Sequence, residues 1–92
     1  MPLTFEWDSR KAPSNVRKHR VSFAEASLVF ADPSSLTIFD PEHSAGENRF
    51  VTIGRALTGK LLVVVHTDRA DNIRIISARQ ASRRERKVYG ER

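Results

Sequence analysis

The sequence predicts a small α+β domain: two N-terminal helices, an antiparallel β-meander sheet and a C-terminal helix. Three observations carry that expectation. Apolar residues follow helical spacing up to residue 32 and then strand-like runs from 36 to 79. The runs are joined by turns too short for anything but antiparallel pairing. Two capping boxes, Ser22-Phe23-Ala24-Glu25 and Ser82-Arg83-Arg84-Glu85, open helices before and after that middle. With 92 residues there is room for one core, so residues 1–92 read as a single domain.

Element by element, residues 4–7 alternate polar and aromatic side chains and suit a short first strand. Asp8 or Ser9 can cap a basic helix over 9–20, with Pro13 as an awkward guest that bends it or delays its start. The second helix follows the first capping box, with Val21 and Ala26 placed as a hydrophobic staple. Asp32-Pro33 stops it. Strands are expected at 36–39, 49–53, 61–65 and 73–79, with a polar loop at 40–47. Residues 61–65 are an unbroken apolar run, the mark of a strand buried on both faces. The final helix carries Val88 and Tyr89, and Gly90 can end it.

Composition narrows the function classes. No run of about 18 apolar residues exists to cross a membrane, and the acidic start does not suit a signal peptide. A cytoplasmic protein is expected. The absence of cysteine excludes disulfides, thiolate zinc sites and cysteine nucleophiles. The net charge of +5 is unevenly placed. Residues 9–20 hold five bases and no acid, and residues 79–92 carry a net +4, while residues 21–78 sum to −2. If the fold unites the two basic segments, they make one surface suited to a polyanion. Otherwise they are two solvated helix faces.

Two clusters could act on phosphate. Helical spacing puts Lys11, Asn15, Lys18 and His19 on one face, opposite Ala12 and Val16. Strict alternation along 73–79 puts Ile75, Ser77 and Arg79 on one side and Arg74, Ile76 and Ala78 on the other. Arg79 leads into Glu85 and Tyr89, one helical turn apart, and Arg49 could face the same groove. Asp40, Glu42, His43 and His66 could instead serve a divalent ion, but their spacing is not that of an ordered ligand set, and no metal is expected. No Gly-rich phosphate loop and no nucleophile elbow is present.

Many of these residues fall in a known pattern. Phe5-Glu6-Trp7-Asp8, Lys11, Asn15, Lys18-His19, Val21-Ser22-Phe23, Glu25-Ala26 and Phe30 resemble the BrnT family of bacterial toxins. So do Asp40-Pro41-x-His43, Glu47-x-Arg49, the valine strand ending in His66-Thr67, Arg74-x-Ile76-Ser77-Ala78-Arg79 and Arg84-Glu85-Arg86-x-x-Tyr89. The resemblance implies a RelE-like fold and an endoribonuclease toxin of a type II toxin–antitoxin system. It also implies a BrnA-like ribbon-helix-helix antitoxin in a two-plus-two assembly, with operator DNA reached only through that antitoxin.

Metal-free RNA cleavage uses the substrate's 2′-hydroxyl and needs no cofactor; it calls for a base, an acid and cations. Lys18, His19, Arg49, Arg79, Glu85 and Tyr89 are the expected catalytic set, and Lys11, Asn15, Arg74, Ser77 and Arg83 the expected RNA contacts. The rival readings are a non-catalytic basic module that binds nucleic acid or protein, and a metal-dependent nuclease using Asp40, Glu42 and His43.

Overall fold

The computed structural model describes residues 3–90. Strand β1 (Thr4–Trp7) leads through helices α1 (Lys11–His19) and α2 (Phe23–Ser27), the latter running on into a 3₁₀ turn at Leu28–Ala31. Strands β2 (Leu36–Asp40), β3 (Arg49–Arg55), β4 (Leu61–Arg69) and β5 (Asn72–Gln80) follow, and α3 (Arg83–Gly90) comes last. The α+β class is as expected. Strand β1 keeps its expected limits, and β2 to β5 each extend one or more residues beyond theirs.

The meander expectation holds for β2 to β5, which pair antiparallel in sequence order. It fails for β1. The sheet order is β1-β5-β4-β3-β2, and β1 lies parallel to β5, with Thr4 opposite Asn72 and Trp7 opposite Ile75. The sheet is therefore mixed. Short turns reveal only pairings between neighbours in sequence, and this pair spans most of the chain.

Helix α1 begins two residues later than expected. Asp8 still closes its start: its carboxylate accepts from the Arg10 amide at 2.8 Å, and its carbonyl accepts from Lys11 and Ala12. Pro13 is the third helical residue, inside the first turn, where a missing N–H costs no helical bond. No bend is needed.

Helix α2 is capped by Ser22 Oγ, which accepts from the Glu25 amide at 3.0 Å. The Glu25 carboxylate does not close the box. It accepts instead from Thr58 Oγ1 at 2.6 Å and faces Lys60 Nζ at 3.6 Å, tying α2 to the β3–β4 turn.

One face of the sheet packs against α1, α2 and the 3₁₀ turn. Val21, Phe23, Ala26, Val29, Leu62, Val64, Ile75 and Ala78 form the larger core there. The turn comes so close that a Cβ on Gly54 would stand 3.0 Å from Val29 Cβ and 3.1 Å from its carbonyl oxygen, so any larger residue must push the turn outward. The other face has a smaller core of Ile53, Leu61, Val63 and Ala81, closed by Tyr89 from α3. Coverage from both sides is why residues 61–64 are fully buried; Val65, the last residue of the expected run, is only half-buried because it lines the open part of that face.

A bulge in β5 overturns the strict alternation expected there. Val65 pairs with Ser77 and His66 with Ile75, which leaves Ile76 without a partner. The phase slips by one residue. Ile75 and Ala78 both enter the helix-side core, and Arg74, Ser77 and Arg79 share the opposite face.

Candidate functional site

Helix α3 covers only one end of the sheet face away from α1 and α2. The rest is a groove made of adjoining cavities. One, of about 370 Å³, lies between Ile38, Val51 and Ile53 of the sheet and Arg84, Glu85 and Val88 of α3. It shares Asp40 with a second, of about 230 Å³, lined by His43, Arg49, Val65, Ile76 and Ser77. Ile76 and Ser77 in turn line a third, of about 350 Å³, beneath Lys11, Lys18 and His19 of α1. The bulged edge of β5 is where α1 meets the open sheet face.

This continuity unites most of the expected residues, but not in one cluster. Lys11, Lys18 and His19 project from exposed positions on α1 at one side of Ser77. Arg49 lies on the other side, with Asp40 and His43. Arg49 pairs with Thr67 and Arg79 with Val63, so the two arginines stand about 13 Å apart along the strand direction. Arg83 is exposed at the first turn of α3. Arg74 donates to Glu6 across the β1–β5 pair at 2.6 Å.

Three of the expected residues turn out to be engaged in holding the fold. Asn15 is buried, and its amide nitrogen donates to the carbonyls of Val21 and Ala78, each at 2.8 Å. Its oxygen accepts from the Ala78 amide at 3.2 Å. Both of its donors are used within the protein, so it shapes the groove wall and has none left for phosphate.

Glu85 grips Arg79 with both oxygens, at 2.7 and 2.8 Å, and also accepts from the Ser82 amide at 2.8 Å. The Arg79 hydrogen bonds are the main reason its carboxyl is lowered to about 2. A carboxylate held so firmly as an anion is a weak base and holds no proton to give. It fixes Arg79 on the sheet face that α3 partly covers.

Tyr89 points away from that pair. Its hydroxyl donates to Asp32 Oδ2 at 2.7 Å, and the Arg55 guanidinium lies 5.8 Å from its ring centre. The bond to Asp32 raises the Tyr89 hydroxyl above the usual phenol range. Asp32 also accepts from the amides of Ser34 and Arg55, so α3 is braced against the segment after α2. Sequence reading takes Asp32 only as a helix stop before Pro33, and nothing local reveals its second use.

The loop acids also resolve differently from a metal set. His66 is buried, between Phe30 and Phe50, with Nε2 2.7 Å from Thr52 Oγ1. His43 Nδ1 lies 2.8 Å from Asp40 Oδ2 at the groove. Among the described residues no three acids or imidazoles converge on a common point.

The family model described as "Ribonuclease toxin, BrnT, of type II toxin-antitoxin system" matches residues 7–85. The chain belongs to the BrnT family. The crystal structure of the Brucella abortus ribonuclease toxin BrnT has a similar fold, with a TM-score of 0.68 at 21% identity. That likeness covers 89% of this chain and 100% of the Brucella chain. No curated protein matches the sequence. Membership in a family of type II toxins implies an antitoxin partner. The segment matched to BrnT contains every site residue expected from sequence except Tyr89, the one that braces α3 from outside the groove.

Proposed function

We propose that this BrnT-family chain is an endoribonuclease that cuts RNA by attack of the substrate's own 2′-hydroxyl, without a metal ion, and so arrests translation and growth. The observation that carries this reading is the phase slip in β5. It puts Arg74, Ser77 and Arg79 on the open sheet face that also holds Arg49, and it brings that face to Lys18 and His19. Cations along an open groove suit a polyanion, and arginine forks match phosphate oxygens. The backbone of a single strand can follow such a track, and the 2′-hydroxyl restricts the chemistry to RNA.

Within this reading Arg49, Arg79 and Lys18 hold the phosphate, and His19 is available to move protons. Lys11, Arg74 and Arg83 extend the contact with RNA. A BrnA-like antitoxin covers the groove in the cytoplasm, in a two-plus-two complex. Among the described residues, no helix is long and apolar enough to cross a membrane.

The test is direct. Purified protein in excess EDTA should cut RNA and leave 2′,3′-cyclic phosphate ends. Activity that disappears on chelation and returns with magnesium overturns the metal-free mechanism.

A further inference from the structure

We propose that His43 is the base that takes the 2′-hydroxyl proton and that Asp40 is its positioning residue. The inference deepens the ribonuclease reading and rests on it. His43 Nδ1 lies 2.8 Å from Asp40 Oδ2. An ionised carboxylate can only accept, so Nδ1 carries the proton and donates it. Nε2 is then left with a free lone pair, the form in which an imidazole accepts a proton. A carboxylate that fixes the imidazole tautomer is a recurring device of acid–base catalysis.

The pair is fastened at the groove. Asp40 ends β2 and faces Arg49 across the β2–β3 ladder. Ser44 Oγ donates to the Asp40 carbonyl at 2.5 Å and accepts from the Arg49 amide at 3.0 Å, which closes the loop at its root. Asp40, His43, Arg49 and Ser77 line one cavity. The His43 side chain is 64% exposed, so its outer nitrogen is open to substrate, whereas the Asp40 side chain beneath it is 24% exposed. Glu85 is engaged with Arg79 and Tyr89 with Asp32, while His19 stands in the adjoining cavity on the far side of Ser77.

The step balances without a cofactor. His43 Nε2 takes the 2′-hydroxyl proton as the 2′-oxygen bonds to phosphorus. The charge that builds on the phosphoryl oxygens faces Arg49. The bond from phosphorus to the 5′-oxygen breaks with its electron pair on that oxygen, which takes a proton from water. The hydroxide left behind is neutralised by the imidazolium. A 2′,3′-cyclic phosphate and a 5′-hydroxyl result.

The experiment compares the purified full chain with His43→Ala and Asp40→Asn on a fluorescent mixed-sequence RNA. Loss of a general base lowers kcat by about 10²–10⁴-fold, and KM should hardly move. Added imidazole should restore much of the rate to His43→Ala. Asp40→Asn should lower kcat at unchanged KM, without rescue. Thermal melts confirm that each variant folds, and His43→Gln serves as a second, less disruptive change.

A His43→Ala protein that cuts at the wild-type rate overturns the assignment. So does a loss seen only in KM that imidazole cannot restore. Wild-type protein that binds RNA without cutting it overturns the ribonuclease reading itself, and this inference with it.

Discussion

The side chain of Asn15 takes the place of a sheet neighbour for Ala78. Strand β1 stops pairing at Ile75, so the edge of β5 would be bare from there on. The Asn15 amide donates to the Ala78 carbonyl at 2.8 Å and accepts from its N–H at 3.2 Å, as a backbone peptide of an edge strand would. The same nitrogen donates to the Val21 carbonyl, fixing the link between α1 and α2.

Asn15→Ala should therefore be among the costliest single changes on α1. It leaves three backbone groups unsatisfied in a buried place, and the loss should be on the order of 3 kcal/mol. Urea denaturation followed by circular dichroism measures it. A loss below about 1 kcal/mol would mean that water satisfies those groups and that α1 does not depend on this anchor.

Legibility in the sequence divides along the same line. The capping boxes, the apolar run at 61–65 and the meander are local signals, and local physics produces them. The β1–β5 pair and the bulge at Ile76 are set by which distant segments meet, and no spacing within 73–79 announces either. That one slip decides the face of Arg74. For the site, residue types were readable but engagements were not. Asn15 reads as an exposed donor because its helical face is polar; only the fold shows that β5 lies against that face. Asp40 and His43, three apart after a strand, carry a signal for a pair, which sequence reading weighs only as part of a metal set and sets aside.

Arg79→Ala should lower RNA cleavage by roughly 10²–10³-fold, the usual cost of losing one preorganised charge contact in a transition state. Stability should fall only by what the Arg79–Glu85 pair contributes, and a urea melt of the variant separates that loss from the loss of cleavage. Arg49→Ala should behave alike if both arginines hold phosphate. Growth arrest on induction, with protein level checked by immunoblot, gives the answer; undiminished arrest removes that arginine from the site.

The Arg79–Glu85 pair should also show in the acid stability of the fold. The Glu85 carboxyl is lowered to about 2 in the folded protein, chiefly by hydrogen bonds from Arg79. The unfolded chain binds that proton more readily, so the pair's stabilisation is complete above the unfolded carboxyl range. It is lost as pH falls toward 2. Glu85→Gln should be less stable than wild type at pH 7, and the gap should close on acidification. A gap of constant size from pH 7 to 3 would show that the pair contributes nothing through charge.

His66 should make a separate contribution at milder pH. Burial, opposed in part by Asp68, holds its imidazole below the ordinary histidine range. Its Nε2 meets Thr52 Oγ1, and its Nδ1 has no hydrogen-bond partner among the described residues. The neutral ring fits this place; a protonated one would bring a second donor with nothing to receive it. The unfolded chain protonates near pH 6.5, so stability should be full above that value and fall as the pH drops below it. Denaturant midpoints of wild type and His66→Gln across that range provide the check. If both decline in parallel, another group causes the loss.

The antitoxin prediction draws on the apolar side of the groove. Ile38 and Val88 are 48% and 44% exposed, and both line the cavity between β2 and α3, next to Arg84 and Glu85. Large side chains left open in a row beside a cationic track form the apolar anchor and charged rim of a protein interface. A bound antitoxin segment that lies there would also block RNA, which makes neutralisation a matter of steric cover. Ile38→Asp and Val88→Asp should each weaken the complex by at least tenfold, about 1.4 kcal/mol, because a charge would be buried at an apolar anchor. Neither should lower the thermal stability of the free toxin. Co-expression with the neighbouring antitoxin gene, followed by size-exclusion chromatography with light scattering, should give a two-plus-two mass for wild type. The variants should dissociate on dilution. If both variants stay complexed as tightly as wild type, the antitoxin binds elsewhere, and its effect on RNA cleavage is not exerted by covering this groove.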